Sequence, residues 1–375
     1  MLYNEFKGLK LSALGMGTMR LPTKSSYNDI DEEETYRLVK YAIEHGINYF
    51  DTAWGYHGGN SEIAMGNVLS KFPRDSYYIA TKFPGYDVSN MDKVEEIFEK
   101  QLKRLKVDYF DFYLFHNVCE KNINEYLDPQ YKIYEYLLEQ KRLGRIRHLG
   151  FSTHGSFTTM QRFLDAYGKD MEFCQLQINY LDWKFQSARE KVKMVSDLGI
   201  PVWVMEPVRG GKLATLPEEY MQKLKALRPN ASAAEWAFRF IQGIDEVKVT
   251  LSGMSNFAQL EENIKTYEKK NSLNKDELST LLGVADDMIK KATLPCTSCR
   301  YCTDHCPIKL DIPRLIELYN EFVVTGGGFI APMVVGTLDK DKRPSACIGC
   351  RSCEAVCPQQ IKISETMSDF ATKLK

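Results

Sequence analysis

"INYFDTAWGYHGGNSE", residues 47–62, opens with a short apolar run that closes on Asp51 and is followed five residues later by Tyr56. The run is rich in aromatic and β-branched side chains and short enough to be a strand. Six further runs of the same kind follow: "YYIATK" (77–82), "FDFYLFH" (110–116), "RIRHLGFS" (145–152), "FCQLQINY" (173–180), "PVWVMEP" (201–207) and "EVKVTLSG" (246–253). An earlier run, "LSALGMGTMRL" (11–21), supplies one more strand and brings the number to eight. Helical patterns lie between them, such as "DEEETYRLVKYAIEHG", with Asp31 as its cap and Gly46 as its stop. "VEEIFEKQLKRLKV" (94–107) and "FAQLEENIKTYEKK" (257–270) are similar. Alternating strand and helix imply a parallel sheet. Eight units in this length predict a closed (β/α)8 barrel, an α/β TIM barrel, over an open doubly wound sheet. "NKDELSTLLGVADDMIKK" (274–291) reads as one more helix, and a tail begins near Leu294.

The chain has 375 residues, enough for one large domain and a small one. Hydrophobic residues make up 44% and charged residues 26%, the balance of a soluble globular protein. The net charge of −1 gives no broad electrostatic reason to bind nucleic acid or an anionic membrane. Short basic runs such as "KRLGRIRH" read as solvated turns. No apolar run approaches the roughly 20 residues needed to span a bilayer, and the N-terminus lacks a signal-peptide pattern. The expected location is the cytoplasm.

Eight of the ten cysteines fall in two runs, "CTSCRYCTDHCP" (296–307) and "CIGCRSCEAVCP" (347–358). Each reads Cys-x2-Cys-x2-Cys-x3-Cys-Pro, a spacing in which the fourth cysteine reaches to the other cluster. The expectation is therefore two [4Fe–4S] clusters. Cys296, Cys299, Cys302 and Cys357 would hold one, and Cys347, Cys350, Cys353 and Cys306 the other. Zinc is the alternative, but zinc sites use paired Cys-x2-Cys units without a third cysteine in register. Pro307 and Pro358 direct the chain away after each reaching cysteine. Both runs resemble the dicluster bacterial ferredoxins, except that the 40 residues 307–346 between them form a longer spacer than in a minimal ferredoxin. That spacer is helical after Pro313 until three glycines break it. The organisation expected is a barrel over 1–290 and a small α-helical, ferredoxin-like iron–sulfur domain over 291–375. No low-complexity linker separates them, so the tail is expected to pack on the barrel. Cys119 and Cys174, in or beside apolar strands, read as plain buried residues.

Function in a (β/α)8 barrel sits at the C-terminal ends of the strands. Asp51, Lys82 and His116 close three consecutive runs. Each alone has an ordinary reading: Asp51 a helix cap, Lys82 a surface lysine, His116 a satisfied core histidine, Tyr56 one loop tyrosine among 21 in the chain. Their joint placement on one face points to a site. At these residues the sequence resembles the aldo-keto reductases, through "NYFDTAWGYHGGNSEIAMGNVL", "ATKF", "YFDFYLFH" and "GFSTHG", over about residues 8 to 270. That family is a (β/α)8 barrel with a tetrad of Asp, Tyr, Lys and His. The resemblance implies Asp51, Tyr56, Lys82 and His116 as catalytic residues. Tyr56 would protonate the oxygen of a carbonyl that receives a hydride. A Lys82 cation would lower its pKa from the usual value of about 10. Asp51 would hold Lys82, and His116 would orient the carbonyl and stabilise the developing oxyanion.

"GMGTMR" (15–20) is not a dinucleotide fingerprint, because no third glycine and no helix start follow. The resemblance implies a different nicotinamide site. It includes Gly17, Thr18 and Asp51, with Ser152 and Gln175 on the carboxamide. Met205 stands where the family stacks a ring on the nicotinamide, and Glu206, Pro207 and Gly211 belong to the loop over the pyrophosphate. Gly253, Ser255, Gln259, Glu262 and Asn263 line the loop and helix start that hold the adenosine ribose phosphate. Three departures stand out: Thr153 replaces a frequent Asn, Met205 a frequent aromatic, and Gly253 and Gln259 the basic residues that often grip the 2′-phosphate. NADP(H) is the expected cofactor, with NAD(H) the alternative.

The expected function is NADP(H)-dependent interconversion of a small-molecule carbonyl and alcohol. Nothing in the chain resembles a flavin segment that would split a hydride into single electrons. The clusters are then structural, or they exchange electrons with an external flavoprotein or ferredoxin partner, or the barrel hosts another redox cofactor. A non-catalytic nicotinamide-binding regulatory subunit is the reading from another class.

Overall fold

A computed structural model describes all 375 residues. The chain forms two compact units, Met1–Leu282 and Gly283–Lys375, and the division falls inside the helix Lys275–Ala292.

The first unit begins with a hairpin of β1 (Tyr3–Phe6) and β2 (Leu9–Ser12), joined at Lys7 and Gly8, whose φ values are 47° and 82°. Two successive positive φ angles make the tight turn that matches strand twist. Eight parallel strands then close into a barrel: β3 (Leu14–Gly17), β4 (Tyr49–Asp51), β5 (Tyr78–Phe83), β6 (Phe110–Val118), β7 (Ile146–Thr153), β8 (Cys174–Gln177), β9 (Val202–Met205) and β10 (Val247–Ser252). Closure is made by β10 pairing back to β3, with Thr250 opposite Leu14. The run expected as one strand over 11–21 is divided. Its first residues pair in the hairpin, the chain turns at Ala13, and the barrel strand ends at Gly17.

An aromatic layer fills the barrel beneath the strand ends. The Phe112 ring centroid lies 5.0 Å from Tyr49, 5.3 Å from Phe173, 5.8 Å from Trp203 and 5.9 Å from Phe6. Phe6 also meets Trp203 edge-on at 5.0 Å, so the hairpin packs into the N-terminal end of the barrel. The opposite end is left for chemistry. The helix Glu32–Glu44 starts and stops as its residues require. Asp31 Oδ1 accepts the Glu34 N–H at 3.1 Å, and Gly46 turns the chain away at φ 89°.

The second unit is built from the helices Tyr301–Asp304, Ile312–Thr325, Ile330–Thr337 and Ile363–Lys373. The helix after Pro313 ends where Gly326 takes φ 72°, as the glycine run requires. Ile330–Thr337 escapes periodicity arguments because "IAPMVVGT" is apolar on nearly every side. Leu310, Ile312, Leu315, Ile316, Ile361, Ile363 and Met367 form this unit's core, together with Cys302, Cys306 and Cys353. No helix of either unit is long and apolar enough to cross a membrane.

Candidate functional site

Each barrel strand delivers a residue to one cavity at its C-terminal end: Gly17, Asp51, Lys82, His116, Ser152, Gln175, Met205 and Ser252, in strand order. The open cavity has a volume of about 620 Å³. Every tetrad and cofactor position named from the sequence in the barrel lines it, from Gly17 to Asn263.

At the floor, Lys82 is 1% exposed, so it is not a surface lysine. Its Nζ donates to Asp51 Oδ1 at 2.6 Å and to the Thr52 carbonyl at 2.7 Å. Burial pushes the Asp51 carboxyl up and the Lys82 ammonium down, and each is pulled back by the charge of the other. A second buried network backs the lysine. Gln101 Nε2 donates to the Lys82 carbonyl at 3.0 Å and to Glu62 Oε1 at 2.7 Å, and Arg104 reaches Glu62 Oε2 at 3.0 Å.

Tyr56 opens a 3-10 turn, Tyr56–Gly59, directly after the β4 loop. Lys82 Nζ lies 5.2 Å from its ring centroid. The His116 ring meets Tyr56 edge-on at 6.1 Å and Tyr86 at 5.1 Å. The expected lowering of the tyrosine pKa is corrected here. Burial, then the Asp51 carboxylate, pushes the Tyr56 phenol well above its ordinary value. Burial, then Lys82 and His154, holds the His116 imidazole well below the usual range, so it is neutral at pH 7.

Among the buried polar atoms of this cavity, Asp51 Oδ2, His116 Nδ1 and Gln175 Oε1 have no hydrogen-bond partner. Buried polar atoms are normally paired, so a cluster of them marks a place shaped for a polar ligand. His116 is therefore not a satisfied core histidine. Ser152 Oγ accepts the Asn117 N–H at 2.8 Å and keeps its own O–H to donate. Gln175 and Ser152 together suit a carboxamide, which both donates and accepts. Thr153 turns away from the cavity, donating to the Val118 carbonyl at 2.7 Å. At the far end, Ser255 N donates to Gln259 Oε1 at 2.9 Å, and Asn263 Nδ2 to Ser252 Oγ at 3.2 Å.

Arg20 and His154 also line the cavity and were not singled out by sequence. The signal was available: both lie within three residues of a strand end on the functional face. Cys119 and Cys174 are fully buried, and burial pushes the Cys119 thiol up to about 11, so both are inert.

In the second unit the eight cysteines divide four and four. Cys296, Cys299, Cys302 and Cys357 line one small cavity, and Cys306, Cys347, Cys350 and Cys353 line another. Each set takes three cysteines from one run and the fourth from the other. Cys299 and Cys350 are exposed, and apolar residues such as Ile312, Ile316 and Ile363 form the walls. Leu310 N donates to Cys306 Sγ at 3.4 Å, a bond that favours thiolate. No three His, Cys, Asp or Glu side chains converge tightly enough for a single ion. The thiols surround a volume, an arrangement suited to a cluster of several irons.

Comparison with known proteins agrees with this geometry. A model of the aldo/keto reductase family matches residues 13–286, and a model of the 4Fe-4S dicluster domain matches residues 295–361. A probable aldo-keto reductase of Glycine max is 30% identical over 217 residues, spanning 55% of this chain and 58% of that protein. An NADH-specific methylglyoxal reductase of Escherichia coli is 27% identical over 232 residues, 57% of this chain and 69% of that one. The solved holo form of an aldo-keto reductase from Bacillus halodurans superposes with TM-score 0.62 at 26% identity, covering 76% of this chain and 96% of that chain. With a closed parallel barrel, a cavity at its strand ends and a matched stretch of 13–286, the chain belongs to the aldo/keto reductase family of oxidoreductases, with a 4Fe-4S dicluster domain following the barrel.

Proposed function

We propose that the barrel interconverts a carbonyl and an alcohol of a small-molecule substrate with NADP(H), Tyr56 acting as general acid and base. The observation that carries this is the buried Lys82–Asp51 pair beside Tyr56 and His116, in a cavity whose floor holds unpartnered polar atoms. A reduced nicotinamide bound in the cavity supplies the hydride to the carbonyl carbon. Tyr56 Oη gives its proton to the carbonyl oxygen as negative charge develops there. Neutral His116 donates a hydrogen bond to the same oxygen and orients it. Asp51 keeps Lys82 fixed and charged beside the tyrosine. Gln175 would accept from the carboxamide of a bound nicotinamide and Ser152 would donate to it. NADP(H) is the expected dinucleotide, supported by Ser255, Gln259 and Asn263 at the cavity wall. NAD(H) is the alternative, which the E. coli relative's name favours. The assembled tetrad weighs against a purely regulatory subunit.

Tyr56→Phe should lower kcat by about a hundredfold or more, the loss expected for a missing proton donor, while nicotinamide affinity stays within about twofold. Steady-state rates and fluorescence titration check this, and an unchanged rate would refute the assignment. The raised tyrosine pKa and lowered histidine pKa fix the pH response. Phenol and neutral imidazole both persist between about pH 7 and 9, so reduction should be flat there. Oxidation needs the phenolate and should rise with pH throughout that range.

The second unit is proposed to carry two [4Fe–4S] clusters, on the two four-cysteine cavities. Anaerobically purified protein should contain about eight iron and eight acid-labile sulfide per chain. Stoichiometric zinc without sulfide would show that the sites hold something else.

One observation favours a second role, electron exchange with a redox partner. Each cluster cavity has one exposed cysteine, Cys299 or Cys350, beside exposed Tyr301 or Ile348. On the first reading the clusters stay oxidised while NADPH and carbonyl are consumed. Anaerobic stopped-flow absorbance decides: bleaching of the clusters at the turnover rate would establish the redox role and overturn a purely structural one.

A further inference from the structure

Arg20 stands three residues beyond the end of β3, on the wall of the barrel cavity. Its backbone is held from both sides. Ser255 Oγ donates to the Arg20 carbonyl at 2.7 Å, and the next N–H, of Leu21, donates to His57 Nε2 at 3.1 Å. That acceptor role puts the His57 proton on Nδ1, which faces the Tyr27 carbonyl. His57 is buried and stacked on Tyr27, so the anchor is rigid.

The side chain crosses from one loop to another. Its β, γ and δ carbons lie 3.4–3.7 Å from where a Cβ on Gly253 would stand, and its Nη2 lies 3.2 Å from the corresponding point on Gly210. Gly253 follows β10 and Gly210 belongs to the loop after β9, so the arginine spans the gap between them. A side chain at Gly253 would meet the arginine stem at ordinary contact distance, whereas one at Gly210 would crowd the guanidinium. Arg209, Gly210 and Gly211 all take positive φ, which lays backbone against the cavity without side chains in the way. The cavity has two basic lysine or arginine side chains, Arg20 and Lys82. Lys82 is engaged by Asp51, whereas the Arg20 guanidinium makes no direct hydrogen bond with the protein and acts only through its charge on the Glu206 carboxyl of the same cavity. The neighbouring Arg209 has a structural role, donating from Nε to the buried Asp182 at 2.9 Å.

We propose that Arg20 is the phosphate clamp of this cavity, its guanidinium fork gripping the pyrophosphate of the nicotinamide dinucleotide between Gly210 and Gly253. A planar fork with five donors matches phosphate oxygens in pairs, which a lysine does not. The inference rests on the reading of the cavity as a dinucleotide site. It adds that affinity comes from a strap on the first βα loop, because Gly253 and Gln259 contribute no charge at that end.

The test uses the full chain, purified anaerobically, with Arg20→Gln and Arg20→Lys. Dissociation constants for NADPH and NADH are measured on each. Arg20→Gln should weaken both nucleotides about ten- to a hundredfold, by the same factor, as loss of charge-assisted phosphate bonds requires. Arg20→Lys should recover part of the loss. A loss confined to NADPH would place the guanidinium on the 2′-phosphate and overturn the pyrophosphate assignment. Unchanged affinity for both nucleotides would overturn the clamp altogether, leaving the dinucleotide site intact. Wild-type protein that binds neither nucleotide would refute the dinucleotide reading and the clamp with it.

Discussion

The buried ion pair between Lys82 and Asp51 organises the functional face of the barrel. An ammonium at 1% exposure has no water to solvate it, so its charge survives only through the carboxylate at 2.6 Å and the Thr52 carbonyl at 2.7 Å. Removing either partner would leave the other buried and unpaired, which typically costs about 3–5 kcal/mol. The pair also requires β4 and β5 to be neighbours in fixed register, with Asp51 opposite Ala80. The Gln101–Glu62–Arg104 network holds Lys82 from behind. Tyr56 and His116 are placed around this charge, and their protonation states follow from burial beside it.

The parts of this arrangement that were legible in the sequence are those set by short-range pattern. All eight barrel strands fall in apolar runs, the first within a run that also holds part of the hairpin, and Asp51, Lys82 and His116 end three of them. The hairpin before β3 was hidden because "LSALGMG" reads as one continuous run. Only the Lys7–Gly8 turn and the burial of Leu11 and Phe6 against the aromatic layer show where it divides. The tyrosine pKa was misjudged for a related reason. A neighbouring lysine on the sequence map implies a lowered value, but three-dimensional burial and the Asp51 carboxylate dominate. Arg20 was legible as a residue and illegible as a position, since its span between Gly210 and Gly253 joins segments nearly two hundred residues or more away in the chain.

The cysteine runs were legible for a different reason. Ligand spacing is a local property, and the crossing of the fourth cysteine follows from repeating the same run twice. The structure groups the thiols in the same two sets of four. Local turns support them: Ser298, Arg300, Arg351 and Gln360 all take positive φ within or just after the runs. Spacing does not reveal exposure, and it is the solvent-facing Cys299 and Cys350 that raise the question of electron exchange.

In the proposed reaction a hydride passes directly from nicotinamide to a carbonyl carbon inside the barrel. Turnover of a carbonyl panel with NADPH deuterated at the transferring C4 position tests it most directly, with the alcohol products read by mass spectrometry and NMR. Direct transfer places one deuterium at the carbinol carbon, with no wash-out to solvent. Alcohol bearing only solvent hydrogen at that carbon would contradict direct transfer and route the reducing equivalents elsewhere.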